Sequence, residues 1–169
     1  MSTLPGASTH PALHNDGPSK ESPTAAWLEG CAVKILVGYD GSGEAKRALE
    51  WAAKLYRAEP GSSMTVIGVA PALDAAPRIP DAVDPTSDLP LHQRQLAEAN
   101  SIVAAAGVEA ETILRVGRPA EEILDTAEEG NFDLVVLGHR GMGAARRFLM
   151  GSVSERVVRH ATRPVLVVP

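Results

Sequence analysis

Three glycines and two serines toward the C-terminal end of this chain have the types and spacing to hold an anion. Leu134-Val-Val-Leu-Gly138-His-Arg-Gly141 is an apolar run closing on glycines, and after nine intervening residues comes Gly151-Ser152-Val153-Ser154-Glu155. The first part reads as a buried strand and the second as a helix start. Ser152 with Glu155 forms a capping box, and Val153, Val157 and Ala161 then recur at helical spacing. A helix N-terminus offers unpaired N–H groups and roughly half a positive charge. Glycines let an anion come close to such a backbone. The chemistry is that of a phosphate cradle lined by Gly138, Gly141, Gly151, Ser152, Val153 and Ser154. Taken singly the glycines have plainer readings: Gly138 can end a strand, and Gly151 can serve a turn before a capped helix.

Two familiar phosphate loops are absent. Gly-x4-Gly-Lys-Ser/Thr occurs nowhere in the chain, and Gly41-Ser-Gly43 lacks the third glycine of the dinucleotide fingerprint because Lys46 stands there.

The spacing Gly-x2-Gly-x9-Gly-Ser, as Gly138, Gly141, Gly151 and Ser152, resembles the ATP-binding signature of the universal stress protein family. Gly151-Ser-Val-Ser-Glu-Arg-Val-Val-Arg-His-Ala161 and Pro164-Val-Leu-Val-Val are similar to the same family. So are Lys34-Ile-Leu-Val-Gly-Tyr-Asp-Gly-Ser42 and Gly117-Arg-Pro-Ala-Glu-Glu-Ile123. The resemblance runs from about residue 32 to 169, with the blocks in order and spacing. It implies that Asp40 contacts the nucleoside of ATP and that the end of the second strand, near Val69, meets adenine. Tyr39 occupies the backbone position beside Asp40. Arg140 is placed to bring positive charge near phosphate, with a solvated surface arginine as the equal alternative. Asp40 before Gly-Ser also fits a helix cap or an Asx turn. Magnesium or manganese could arrive with the triphosphate, but no cluster of carboxylates forms a protein-only metal site. His139 reads as a hydrogen-bonded structural histidine, and Arg146 and Arg147 as surface charges.

The elements that must position these residues are legible in order. Val33 to Tyr39 is an apolar run broken only by Lys34, and a helix with Ala45, Ala48, Leu49, Ala52, Leu55 and Tyr56 on one face follows. Met64 to Ala70 is a second buried strand, completing a strand–helix–strand unit that forces parallel pairing. Residues 71–90 hold prolines and aspartates without periodicity and read as a lid over the carboxyl ends of the strands or as plain disorder. Leu96, Ala99, Val103 and Ala106 mark a second helix capped by Gly107. Val108 to Val116 alternates, with Val108, Ala110, Thr112 and Leu114 turned inward, which predicts an edge strand. Pro119 opens a third helix that Gly130 ends, Leu134 to Leu137 is strand four, Ser152 to Ala161 helix four, and Val165 to Val168 strand five. Five strands alternating with four helices predict an α/β fold, a doubly wound, Rossmann-like parallel sheet. The resemblance implies strand order 3-2-1-4-5. In that order Asp40 and Gly138 face one crevice, where the winding reverses and ligands bind.

Composition bounds the rest. The chain of 169 residues is long enough for one domain, taken as residues 31–169 and preceded by a Pro/Ser/Thr-rich arm at 1–30 that reads as disordered or loosely docked. Trp27 and Leu28 there could form a docking turn, and the spacing of His10 and His14 means little among prolines. A net charge of −5 argues against a nucleic-acid binder, and no apolar run reaches a membrane span of about 20 residues. The single Cys31 fits a reducing compartment and reads as a small residue at a strand entry, which with no secretory signal makes a cytoplasmic protein the expectation. The crevice shows no phosphate-reaching lysine motif and no water-activating carboxylate. The primary expectation is therefore an ATP-binding regulatory protein of the stress response. It would act as a homodimer through the edge of strand five, as the resemblance also implies. The alternatives are an interaction module of the same fold that binds no nucleotide, and a slow ATPase or phosphotransfer protein.

Overall fold

The computed structural model describes residues 32–72, 89–141 and 150–169. The readings of the arm, of Cys31, of Arg146 and Arg147, and of most of the 71–90 stretch lie outside the described residues. Within them strand and helix alternate as β1 (Lys34–Gly38), α1 (Gly43–Ala58), β2 (Ser63–Pro71), α2 (Leu89–Ala105) and β3 (Glu111–Gly117). The chain continues through α3 (Pro119–Glu129), β4 (Leu134–Gly138), α4 (Ser152–His160) and β5 (Val165–Val168). The sheet order is β3-β2-β1-β4-β5 and every pairing is parallel.

A strand covered on both faces must be apolar at successive positions, and β1 is. Ile35 and Val37 enter one core with the α1 and α2 residues Leu49, Ala52, Leu96 and Val103. Leu36 enters the other, with Ile123 and Ala127 of α3 and Val157 of α4. Small residues on the buried face of α1 (Ala45, Ala48, Ala52, Ala53) bring that helix close to the sheet. Its start is set by Ser42, whose hydroxyl accepts from the Ala45 N–H at 3.1 Å. Pro119 opens α3 at a position where its missing N–H costs nothing.

Two sequence expectations change. The strand expected from Val108 begins at Glu111, because Val108 belongs to the end of α2. Its N–H reaches Val103 O at 3.0 Å, the Gly107 N–H reaches Ala104 O at 2.9 Å, and Gly107 has φ of +71°. That is a Schellman termination, in which the residue after the glycine packs back on the helix. Val108 is thus buried by the cap, and Thr112, expected inward, is exposed at the sheet edge.

The expected capping box at α4 is also displaced by one residue. Gly151 is the N-cap, Ser152 is already helical, and no side chain caps the turn. Glu155 pairs forward with Arg159 at 2.8 Å instead of reaching back. This shift decides which amides of the helix mouth stay open.

Candidate functional site

β1 pairs with β2 on one side and β4 on the other, so the connections leaving β1 and β4 diverge to opposite faces of the sheet. A cleft of about 390 Å³ opens there, on the α3/α4 face. Every residue expected at the site lines it: Tyr39, Asp40, Val69, Gly138, Arg140, Gly141, Gly151, Ser152, Val153 and Ser154. One wall is apolar, built by Ile67, Val69, Pro71, Pro119, Ile123 and Leu137. The opposite wall is the N-terminus of α4 with Asp40, Arg140 and Gly141.

Hydrogen bonds sort the polar wall into struts and open groups. The His139 carbonyl accepts from the Gly151 N–H at 2.7 Å and from Ser154 Oγ at 3.0 Å. Ser154, buried, also lies 3.0 Å from Gly151 O. Gly151 and Ser154 Oγ therefore brace the helix start rather than offer donors. The His139 N–H in turn reaches Val168 O at 2.7 Å, which ties the mouth of α4 to β5. The hydrogen bond expected of the His139 ring is not seen at Nδ1, which is buried with no hydrogen bond among the described residues; the residue braces the helix mouth through its backbone instead. What remains open is the first-turn backbone: the N–H groups of Ser152, Val153 and Ser154 make no hydrogen bond among the described residues. Three aligned amides, the positive end of the helix dipole and the exposed Ser152 hydroxyl give this wall the donors and the charge that suit an anion.

Asp40 closes an Asx turn, accepting from the Ser42 N–H at 3.0 Å through Oδ1. Its Oδ2 stands against Gly141, where a Cβ would run into it, so glycine lets the β1 and β4 loops meet. The Asp40 carbonyl accepts from Gln95 Nε2 at 2.6 Å, anchoring the β1–α1 loop to α2. The side chain of Tyr39 turns away toward α2, its hydroxyl 3.0 Å from Glu98 Oε2, while Glu98 Oε1 meets Lys46 Nζ at 2.6 Å. Burial, and after it the Glu98 carboxylate, pushes the Tyr39 phenol well up. Hydrogen bonds from Lys46 and then Tyr39 hold Glu98 below its ordinary range. Tyr39 thus ties the end of β1 to α2 through its side chain.

The sign of the Glu98 shift makes a prediction. A carboxylate lowered on folding contributes stability above its unfolded range and loses it as pH falls. Glu98→Gln is expected to lose less stability than the parent between about pH 7 and about pH 3.5, a window spanning the ordinary glutamate range. Urea melts at the two pH values measure this, and equal losses in both proteins would refute it.

Sequence reasoning missed His92, Gln95 and most of the apolar wall. His92 and Gln95 lie on α2, far from the glycine motif in the chain, and only packing brings His92 to the cleft and Gln95 to the Asp40 carbonyl.

Residues 33–169 match the model of the universal stress protein family. The chain belongs to that family. A universal stress protein of Thermus aquaticus, encoded beside a QAH/OAS sulfhydrylase, is 37% identical over 139 residues, covering 79% of this chain and 96% of the relative. Among solved structures, a universal stress protein in complex with cAMP is 27% identical with a TM-score of 0.64, covering 81% of this chain and 97% of its own. The Archaeoglobus fulgidus universal stress protein in complex with dAMP is 28% identical with a TM-score of 0.63, covering 81% and 98%. Among the described residues of this family member, no helix is long and apolar enough to cross a membrane. No group of three or more His, Cys, Asp or Glu among them is arranged to hold a metal.

Proposed function

We propose that this universal stress protein binds an adenine nucleotide, ATP in the first place, and acts as a nucleotide-dependent regulatory protein of the stress response in the cytoplasm. The observation that carries the reading is the pairing, within one cleft, of three open amides at the start of α4 with an apolar wall. Phosphates would lie on Ser152, Val153 and Ser154 N–H groups beside Arg140. The base would lie against Val69, with Asp40 and the Tyr39 backbone at the nucleoside. A volume of about 390 Å³ falls within the range of small-ligand sites, roughly 300–1,000 Å³. The cAMP and dAMP complexes of similar structures support the ligand class. Magnesium or manganese would enter with the triphosphate. The binding unit is taken as residues 31–169, with 1–30 an appended arm.

Homodimerisation belongs to the same proposal. Among the described residues β5 is an edge strand, paired only with β4.

Thermal melts test the ligand. A nucleotide at about 100 times its dissociation constant adds roughly 2.7 kcal/mol to stability. At about 2–4 °C per kcal/mol this is a rise of roughly 5–10 °C with ATP. Absence of a rise with ATP, AMP and cAMP alike would sink the nucleotide reading.

A further inference from the structure

A second cavity, of about 810 Å³, lies at the amino-terminal ends of β1, β2 and β3, at the other end of the strands from the cleft. Part of its floor is the α3 face of β2 and β3. Ile67 of β2 belongs to the core under α3, and Ile113 of β3 lies beside it in register. α3 leads from β3 to β4 and packs over β1, β2 and β4, which leaves β3 without cover on that face. Ile113 is accordingly half-buried and belongs to neither core. One wall is the end of α3 and the turn after it. There Lys34 Nζ donates to the Gly130 carbonyl at 2.6 Å and stands 5.2 Å from the centre of the Phe132 ring. Thr126 completes this wall, only 4% exposed, and its Oγ1 has no hydrogen bond among the described residues. A threonine inside a helix commonly bonds back to the preceding turn, and this one does not. Buried side-chain polar atoms are nearly always paired, so the open hydroxyl points to a partner from outside the described residues.

The chain carries a candidate for that partner at the mouth of the cavity. β1 begins at Lys34, which lines it, and the two residues before are held at the same edge of the sheet. The Val33 N–H donates to Ser62 Oγ at 3.0 Å, and Ala32 lies beside Gly61. Residues 1–31 therefore join the domain at this cavity. Among them Trp27 is the only aromatic residue, and Leu28 follows it. Five residues of chain from Trp27 to Ala32 reach at most about 17 Å. Crossing from β1 to β3 takes two strand spacings, about 10 Å, so the tether is long enough to set Trp27 over Ile113. The chemistry matches as well. Tryptophan brings a large apolar ring with one N–H donor, and the cavity offers an uncovered isoleucine beside one open hydroxyl oxygen.

We propose that Trp27 and Leu28 of the N-terminal arm dock in this cavity, the indole ring on Ile113 and its N–H on Thr126 Oγ1, covering the α3 face of β3. The docking is independent of the nucleotide reading, since the cavity and the cleft share no lining residue.

The test uses the full chain with Trp51→Phe, which leaves Trp27 as the only tryptophan. Trp51 is 50% exposed, so this exchange spares the core. Ile113→Asp, added to it, sets a carboxylate on the cavity floor. Acrylamide quenching of Trp27 emission is expected to rise about threefold or more in that variant, with emission shifted to the red and far-ultraviolet circular dichroism unchanged. Thr126→Val keeps the shape of the wall and removes the hydroxyl, so it serves where Ile113→Asp disturbs the fold. It is expected to melt roughly 2–4 °C below the parent, because the indole N–H is then buried without an acceptor. Trp27 quenched as readily in the parent as in Ile113→Asp overturns the docking. So does a Thr126→Val variant that melts above the parent, since the oxygen then had no donor to lose. Protection of Trp27 that fades on dilution assigns the seat to the arm of another copy and overturns docking within the chain.

Discussion

Gly138→Ala is expected to lower the melting temperature of the ligand-free protein by roughly 5–10 °C, far more than a surface Gly→Ala change. A Cβ at this position would stand 2.7 Å from the Glu44 carbonyl carbon and 2.9 Å from the Ala45 N. Those atoms are backbone of the first turn of α1 and cannot rotate aside as a side chain would. Relief requires α1 to lift off the end of β4, and overpacking of this kind costs about 1–3 kcal/mol, occasionally more. Gly43→Ala is the control, because its Cβ would meet only Arg47 Nη1 at 3.7 Å. Circular-dichroism melts of the two variants decide the matter. If Gly138→Ala melts within a degree of the parent, the tight seat of α1 on β4 is wrong.

Ser152→Glu is expected to abolish the thermal response to ATP while leaving the ligand-free protein as stable as the parent or slightly more so. Ser152 is exposed at the first helical position of α4, where an acidic side chain complements the helix dipole by about 0.3–1 kcal/mol. The same carboxylate would sit where phosphate charge has to lie. At about 4 Å and an effective dielectric near 20, like charges repel by about 4 kcal/mol. That is close to three decades in affinity. Ser152→Ala removes one hydroxyl and should cost only about tenfold or less, since a single hydrogen bond contributes about 1 kcal/mol. Calorimetric titration with ATP reads both. Full ATP binding by Ser152→Glu, with the fold intact, would show that phosphate does not use the α4 amides.

Much of this architecture is legible in the chain because it is local or periodic. The strand cores Ile35–Val37 and Val135–Leu137 are apolar without interruption, as burial on both faces requires. Pro119 and Gly107 each mark a helix end by a mechanism that acts within a few residues, whereas the cap of α1 falls on Ser42 and not on Asp40. The glycine–serine motif could be placed at the crevice because a parallel sheet that reverses its winding leaves a cleft at that one point.

What local patterns could not show is how neighbouring polar groups divide their work. Ser152 and Ser154 look alike in the sequence, yet one hydroxyl is exposed and the other is buried on the His139 and Gly151 carbonyls. Gly138 looks like part of the phosphate motif, yet the close seat of α1 already demands a glycine there. The residue types, their periodicity and the turn chemistry determined the elements, their order and the family. Tertiary structure alone decided which amides stay unpaired, which side chains brace them and which apolar residues wall the cleft. The reason is that a hydrogen-bond donor can be spent only once, and what spends it here is the His139 carbonyl just beyond β4, brought near by packing rather than by sequence.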